Sequence, residues 1–273
     1  MKIAIIGHNR GWGNFFHRYL ASNGRRGYEF LLRDKGTGEE LVDIAKEADA
    51  IFIAAPMPAI EGIISELGPL RRSQLLIDVA SRKVESMRMM MATKASVLGL
   101  HPLRRAPEKK VVVPGHTIVA CRGRTNAFGS WIDSFLEGTE ATILWTAPKM
   151  HDHVMRVEQN PVFQSLLAYA ITMKKLGIKP KGLLEMRTAT SRKMLAAMAR
   201  MLQSDSPATY AHILLGQEEG VMEVRTTYRT SQDEVYRLLR EGKEEGFVAC
   251  MASLRKYFGN TFLAQAQEGE FDD

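Results

Sequence analysis

Residues 1–20 read MKIAIIGHNRGWGNFFHRYL, and the fold reading starts from them. Ile3 to Ile6 form a short apolar run, largely β-branched, of the kind that becomes a strand buried in a parallel sheet. Gly7, Gly11 and Gly13 follow, and then an amphipathic stretch from Phe15 to Leu20. Strand, glycine loop and helix together make the arrangement that holds a dinucleotide pyrophosphate. Glycine lets the backbone approach the phosphates, while the unpaired N–H groups and dipole of the helix N-terminus attract their charge. The spacing here is G-x-x-x-G-x-G, not the commoner G-x-G-x-x-G. Gly7, Arg10, Gly11, Trp12 and Gly13 are the cofactor-binding candidates of this loop, with Arg10 the one whose charge suits a phosphate.

A second strand, Tyr28 to Leu32, ends in Arg33 and Asp34. An acidic residue at this place accepts hydrogen bonds from the adenosine ribose hydroxyls and repels a 2′-phosphate, so Asp34 favours NAD over NADP. Arg33 pulls the other way, since a guanidinium there suits that phosphate. The pattern then keeps alternating. Helices are expected over 38–48 and 57–67, and strands over 50–54, 74–79, 97–100, 111–113, 117–120 and 141–144, with a further helix over 127–136. Such alternation builds a doubly wound, mostly parallel α/β sheet of Rossmann type. From about Pro148 the strands stop, and helical periodicity covers 151–176, 183–203, 207–230 and 231–258. The chain therefore reads as a dinucleotide-binding domain over 1–148 and an all-helical domain over 149–273.

Composition narrows the function classes. The 273 residues, 45% hydrophobic and 25% charged, fit an ordinary globular protein of one large or two modest domains. Cys121 and Cys250 lie far apart, which points to neither a disulfide framework nor a metal site. No apolar run reaches the length of a membrane span, and MKIAIIG is short for a signal segment, so the cytoplasm is expected. The net charge of +6 suits a small anionic substrate. Its basic residues are scattered among acidic ones without a nucleic-acid motif, so no nucleic-acid partner is expected. The acidic end EGEFDD reads as a solvated tail.

In open α/β sheets the ligand lies beyond the carboxyl ends of the strands. Ala54-Ala55-Pro56-Met57 follows one strand, and small residues with proline leave room there for a nicotinamide ring, so Ala55 and Pro56 join the cofactor candidates. Asp78-Val79-Ala80-Ser81-Arg82-Lys83 follows the next strand and brings a hydroxyl, Ser81, to the edge. Gly99-Leu100-His101-Pro102 ends another strand in an imidazole, suited to accept a proton from an alcohol while hydride leaves the same carbon.

These pieces resemble the prephenate dehydrogenase family over nearly the whole chain: IAIIGHNRGWGNFF, DVASRK, VLGLHP, the His151-Asp152 pair and TSRKMLAAMARMLQSDSPATYAHI, in that order. The resemblance implies a Rossmann domain binding NAD or NADP and a helical domain that forms a homodimer. It implies oxidative decarboxylation of a small anionic cyclohexadienyl compound, with prephenate going to 4-hydroxyphenylpyruvate in tyrosine biosynthesis. Under it, His101 matches the catalytic histidine and Ser81 the serine that orients it. Arg200 matches the arginine holding a substrate carboxylate, Arg192 a second helix arginine, and His151 the histidine of the His-Asp pair. Arg192 and Arg200, eight positions apart, project from a similar face of one helix, and arginine grips carboxylates bidentately.

Two departures from the family pattern leave the substrate open among prephenate, arogenate and the 4-amino analogue of specialised metabolism. Leu103-Arg104-Arg105-Ala106-Pro107 follows the His-Pro pair, and no histidine occurs in Glu158 to Phe163. Two cations close to His101 would lower its pKa. The same departures keep open a nucleotide-sensing regulator that lost the chemistry. A β-hydroxyacid or ketopantoate-type dehydrogenase fits less well, since Lys174 and Lys175 lie too far along the helical region to act as the acid/base of that class.

Overall fold

The computed structural model describes residues 1–22, 27–37, 40–204 and 207–268. The expected start of a helix at 38 and most of the acidic tail, residues 269–273, lie outside the described residues. The chain divides into two compact units, Met1–Arg156 and Val157–Asp273.

The first unit holds seven strands: β1 (Lys2–Ile6), β2 (Glu29–Arg33), β3 (Ala50–Ile53), β4 (Leu75–Asp78), β5 (Ser96–Pro102), β6 (Thr117–Arg122) and β7 (Thr142–Trp145). They form one sheet in the order β2-β1-β3-β4-β5-β6-β7. Every neighbouring pair is parallel except β5 and β6. Five helices accompany them: α1 (Gly11–Ser22), α2 (Leu41–Glu47), α3 (Met57–Leu67), α4 (Lys83–Ala92) and α5 (Gly129–Glu137). Both faces of the sheet are covered, and strand alternation sorts side chains between two cores. Ile3, Ile5, Phe52 and Ile77 pack with Phe15, Phe16 and Phe135 of α1 and α5. Ala4, Ile6, Ile51, Ile53 and Leu76 pack with Ile44, Ile60, Leu67, Met87 and Met90 of α2, α3 and α4.

Two expectations for this unit need correction. Residues 111–113 are not a strand: Val113 is buried and gives its N–H to the Thr139 carbonyl at 2.8 Å, but Pro114 and a turn at Gly115, φ 76°, end the run. Helix α4 was not anticipated, because its sequence KVESMRMMMA is too evenly mixed to show a clear stripe.

The helical region comprises α6 (Pro148–Lys175), α7 (Pro180–Glu185), α8 (Ala189–Leu202), α9 (Pro207–Leu215), α10 (Glu219–Glu241) and α11 (Glu244–Glu268). The stretch 183–203, expected as one helix, is broken before Thr188, whose hydroxyl accepts the Ser191 N–H at 3.1 Å and caps α8. The helix expected over 207–230 is likewise broken between α9 and α10. No break falls between Thr230 and Ser231, where α10 runs straight through until Gly242 stops it in the left-handed region at φ 63°. None of the described helices is long and apolar enough to cross a membrane.

Candidate active site

Strands β1, β3, β4 and β5 run in one direction, so their carboxyl ends share one edge of the sheet. The strand order reverses at β1, between β2 and β3, which is where open α/β sheets place a ligand. The loop leaving β1 is shaped by glycines. Gly7 sits at φ 87°, and a Cβ on it would lie 2.4 Å from the Ala54 carbonyl oxygen. A Cβ on Gly13 would lie 2.1 Å from the oxygen of Gly7. These two glycines let the end of β1, the end of β3 and the first turn of α1 close on one another. Gly11, at φ 59° with open space around it, leaves the start of α1 uncovered. Asn9 N–H donates to Asp34 Oδ2 at 3.0 Å, fastening the loop to the end of β2. A bare helix start, close backbone and an acidic group beyond β2 fit the pyrophosphate and ribose of a dinucleotide.

The other candidates of this region take more definite positions. Arg33 Nη1 donates to the Thr37 carbonyl at 2.9 Å, so the guanidinium is engaged with the turn after β2. The Trp12 indole donates to the Arg104 carbonyl at 3.0 Å and packs on the rings of Phe15 and Phe16, so this side chain joins α1 to the segment after β5. Arg10 is exposed just before α1, and Ala55 and Pro56 lead from β3 into α3.

The polar centre lies at the end of β5, two strands beyond β3. His101, on β5, has Nδ1 2.9 Å from His151 Nε2, and His151 Nδ1 is 2.7 Å from Asp152 Oδ1. All three residues are buried. Asp152 also accepts the backbone N–H groups of Lys83 at 2.7 Å and Val84 at 2.9 Å. Helix α4 has no capping side chain of its own, so this carboxylate on α6 caps it. The Lys83 ammonium is fully buried, 2.6 Å from Asp78 Oδ2 and 2.8 Å from the Leu100 carbonyl.

The proton positions follow from the partners. Asp152 accepts from His151 Nδ1–H, and with the His151 ring uncharged its Nε2 is an acceptor. The proton between the rings is then His101 Nδ1–H, and His101 Nε2 keeps its lone pair. Burial foremost, then the Lys83 charge and His151, lower the His101 pKa to about 3, against the opposing pull of Asp152. The imidazole is therefore an uncharged acceptor at neutral pH. Burial alone would raise the Asp152 pKa, but the hydrogen bonds from His151, Lys83 and Val84 outweigh it and hold the carboxyl below its usual value.

The cation acting on His101 is thus Lys83. Arg104 instead contributes, after burial, to lowering the pKa of His116. Ser81 is half-buried on the loop between β4 and α4. Arg192 and Arg200 stand on α8, in the second unit, both exposed. Sequence reasoning gave no role to Lys83 or Asp78, although both stand in the quoted DVASRK segment. Among the described residues no group of three His, Cys, Asp or Glu side chains is placed to hold a metal ion.

Comparison with known proteins adds to this geometry. Residues 22–117 match the family model of the prephenate dehydrogenase nucleotide-binding domain. The chain is 26% identical over 265 residues to the T-protein of Enterobacter agglomerans, covering 94% of this chain and 68% of that protein. It is 23% identical over 281 residues to a probable arogenate/prephenate dehydrogenase of Methanocaldococcus jannaschii, covering 95% and 61%. The chain thus spans roughly two thirds of the length of these relatives. Among solved structures, a prephenate dehydrogenase from A. aeolicus in complex with hydroxyphenyl propionate and NAD+ has a TM-score of 0.70 at 15% identity, with 95% of this chain and 98% of that one covered. The Synechocystis arogenate dehydrogenase has a TM-score of 0.63 at 16% identity, with 95% and 100% covered. At these identities the likeness to the two structures is one of fold.

Proposed function

We propose that this chain, whose residues 22–117 match the prephenate dehydrogenase nucleotide-binding domain, is an NAD-dependent dehydrogenase acting on prephenate or a close cyclohexadienyl analogue. The observation that carries this reading is the chain of hydrogen bonds Asp152–His151–His101, which leaves one imidazole nitrogen unprotonated at the edge of the sheet where the nucleotide loop also lies. That nitrogen accepts the hydrogen bond of the ring hydroxyl as hydride leaves the same carbon. The ring carboxylate departs as CO2, its bonding electrons complete the aromatic ring, and the hydroxyl becomes a phenol. A bound NAD supplies the hydride acceptor. Gly7, Gly11 and Gly13 would hold its pyrophosphate, with Arg10 beside them, and Asp34 its adenosine ribose, while Ala55 and Pro56 leave space for the nicotinamide.

Two further parts of the reading concern the helical region, read as a substrate-binding and dimerisation domain over 149–273. Arg200 binds a substrate carboxylate and Arg192 supports it, each from α8. The long helices α10 and α11 expose Tyr236, Leu239, Phe247, Met251 and Tyr257, apolar area that supports a homodimer. A steady-state assay of NADH formation with prephenate, arogenate and the 4-amino analogue tests the activity. Oxidation of one of them is expected; if none reacts, the regulatory alternative replaces this reading.

A further inference from the structure

Lys83 is a lysine with no exposed side-chain surface, placed at the first turn of α4 between the nucleotide edge and the polar centre. Its ammonium meets Asp78 Oδ2 at 2.6 Å and the Leu100 carbonyl at 2.8 Å. Leu100 immediately precedes His101, so the cation that neutralises Asp78 also ties down the backbone carrying the imidazole. The backbone N–H of the same residue donates to Asp152 Oδ1, the oxygen that holds His151. Lys83 therefore holds the Asp152 end of the Asp152–His151–His101 chain with its backbone, and the carbonyl just before His101 with its side chain.

Folding stability does not account for such a pair. Each ion loses hydration worth several kcal/mol, and apolar replacements of buried pairs are often neutral or stabilising. Here the offset is also incomplete, because Asp78 Oδ1 is buried with no hydrogen-bond partner among the described residues. The sheet makes room for the pair at Gly99, where a Cβ would lie 3.2 Å from both Asp78 Oδ1 and Lys83 Cδ and 2.7 Å from Met87 Sδ. A costly arrangement, fitted in by a glycine two residues before His101, is explained by what it does to His101.

The geometry points to Lys83 as a positioning residue for the proposed reaction: its ammonium fixes the end of β5 and stands as a cation near the His101 imidazole, while its backbone N–H holds the carboxylate behind His151. This inference rests on the reading of His101 as the acceptor. The titratable groups around His101 are Lys83 from α4 and His151 and Asp152 from α6. Asp78 on β4 and Cys121 on β6 lie on the Lys83 side, and burial raises the Cys121 thiol to about 11, so it carries no charge at neutral pH.

The test follows the His101 ring by NMR through a pH titration, its signal assigned by its loss in His101→Asn. Wild-type protein, Lys83→Met, Asp78→Asn and the double variant Lys83→Met/Asp78→Asn are compared. The double variant leaves no orphaned buried charge, so it carries the measurement if the single one fails to fold. The wild-type ring is expected to stay uncharged well below the usual histidine range. Removing the ammonium is expected to raise its midpoint by about one pH unit or more, and to move the acid limb of kcat/KM upward with it. An unchanged midpoint in folded Lys83→Met, or in the double variant measured against Asp78→Asn alone, overturns the inference. The ring titration needs no turnover, so a raised midpoint in a protein that oxidises none of the three substrates counts against the reaction and leaves the local role of Lys83 standing.

Discussion

Among single residues, His101 is the one on which the proposed chemistry turns. The ring is buried, hydrogen-bonded to His151 and close to a lysine ammonium, and it stays neutral where an ordinary histidine begins to charge. Turnover is therefore expected to persist on the acid side of neutrality without an inflection from this group. His101→Asn is expected to lower kcat by about 10²- to 10⁴-fold while leaving NAD affinity nearly unchanged, as read by steady-state rates and a binding titration. The same depressed pKa carries a stability cost at low pH. The unfolded chain takes up a proton near 6.5 and the folded one only near 3, so the contribution is complete above 6.5 and fades as the pH falls through that window. The expected slope is up to about 1.4 kcal/mol per pH unit, and denaturant melts of His101→Asn should show a flatter dependence there. The place of the histidine at a strand end before a proline was legible, while the role proposed for it came from the family likeness. The lysine that tunes it was not legible, because a cation buried against a carboxylate looks in sequence like any charged residue of a loop.

At the scale of elements, Asp152 matters as much to α4 as to the histidines. It is the external cap of a helix that has none of its own, and it also fastens the start of α6 to that helix. Asp152→Ala is expected to destabilise the protein by about 1–3 kcal/mol in denaturant melts, with Asp152→Asn intermediate because one acceptor oxygen remains. The nucleotide loop gives a sharper case: Gly13→Ala drives a Cβ into the Gly7 carbonyl, so loss of NAD binding is expected in a calorimetric titration. The strands and the glycine loop were readable because buried parallel strands are unbroken apolar runs with clear punctuation. Helix α4 was not, since four methionines spread around KVESMRMMMA blur the stripe. In the helical region, periodicity found the material but placed breaks poorly. Thr188 and Gly242 are the stops that act, whereas Ser231-Gln232-Asp233-Glu234 has the spacing of a capping box and yet lies inside α10, where the Ser231 hydroxyl donates to the Thr227 carbonyl at 2.9 Å.

For the whole molecule, the glycine loop and His101 lie in the first unit, and α8 with Arg192 and Arg200 lies in the second. Under the proposed function, Asp34→Asn is expected to raise kcat/KM with NADP relative to NAD, since it removes the charge that would repel a 2′-phosphate while keeping an acceptor for Asn9. Sedimentation is expected to give twice the 30.6 kDa chain mass, consistent with the apolar faces of α10 and α11. Arg192 and Arg200 were found through family likeness, and their spacing alone does not distinguish a carboxylate clamp from a solvated face. The most direct measurement is the rate of NADH formation with each of the three cyclohexadienyl substrates, wild type beside His101→Asn. The account predicts that at least one substrate is oxidised and that the variant loses about 100-fold or more of that turnover; equal rates in the two proteins, or no oxidation by either, would contradict it.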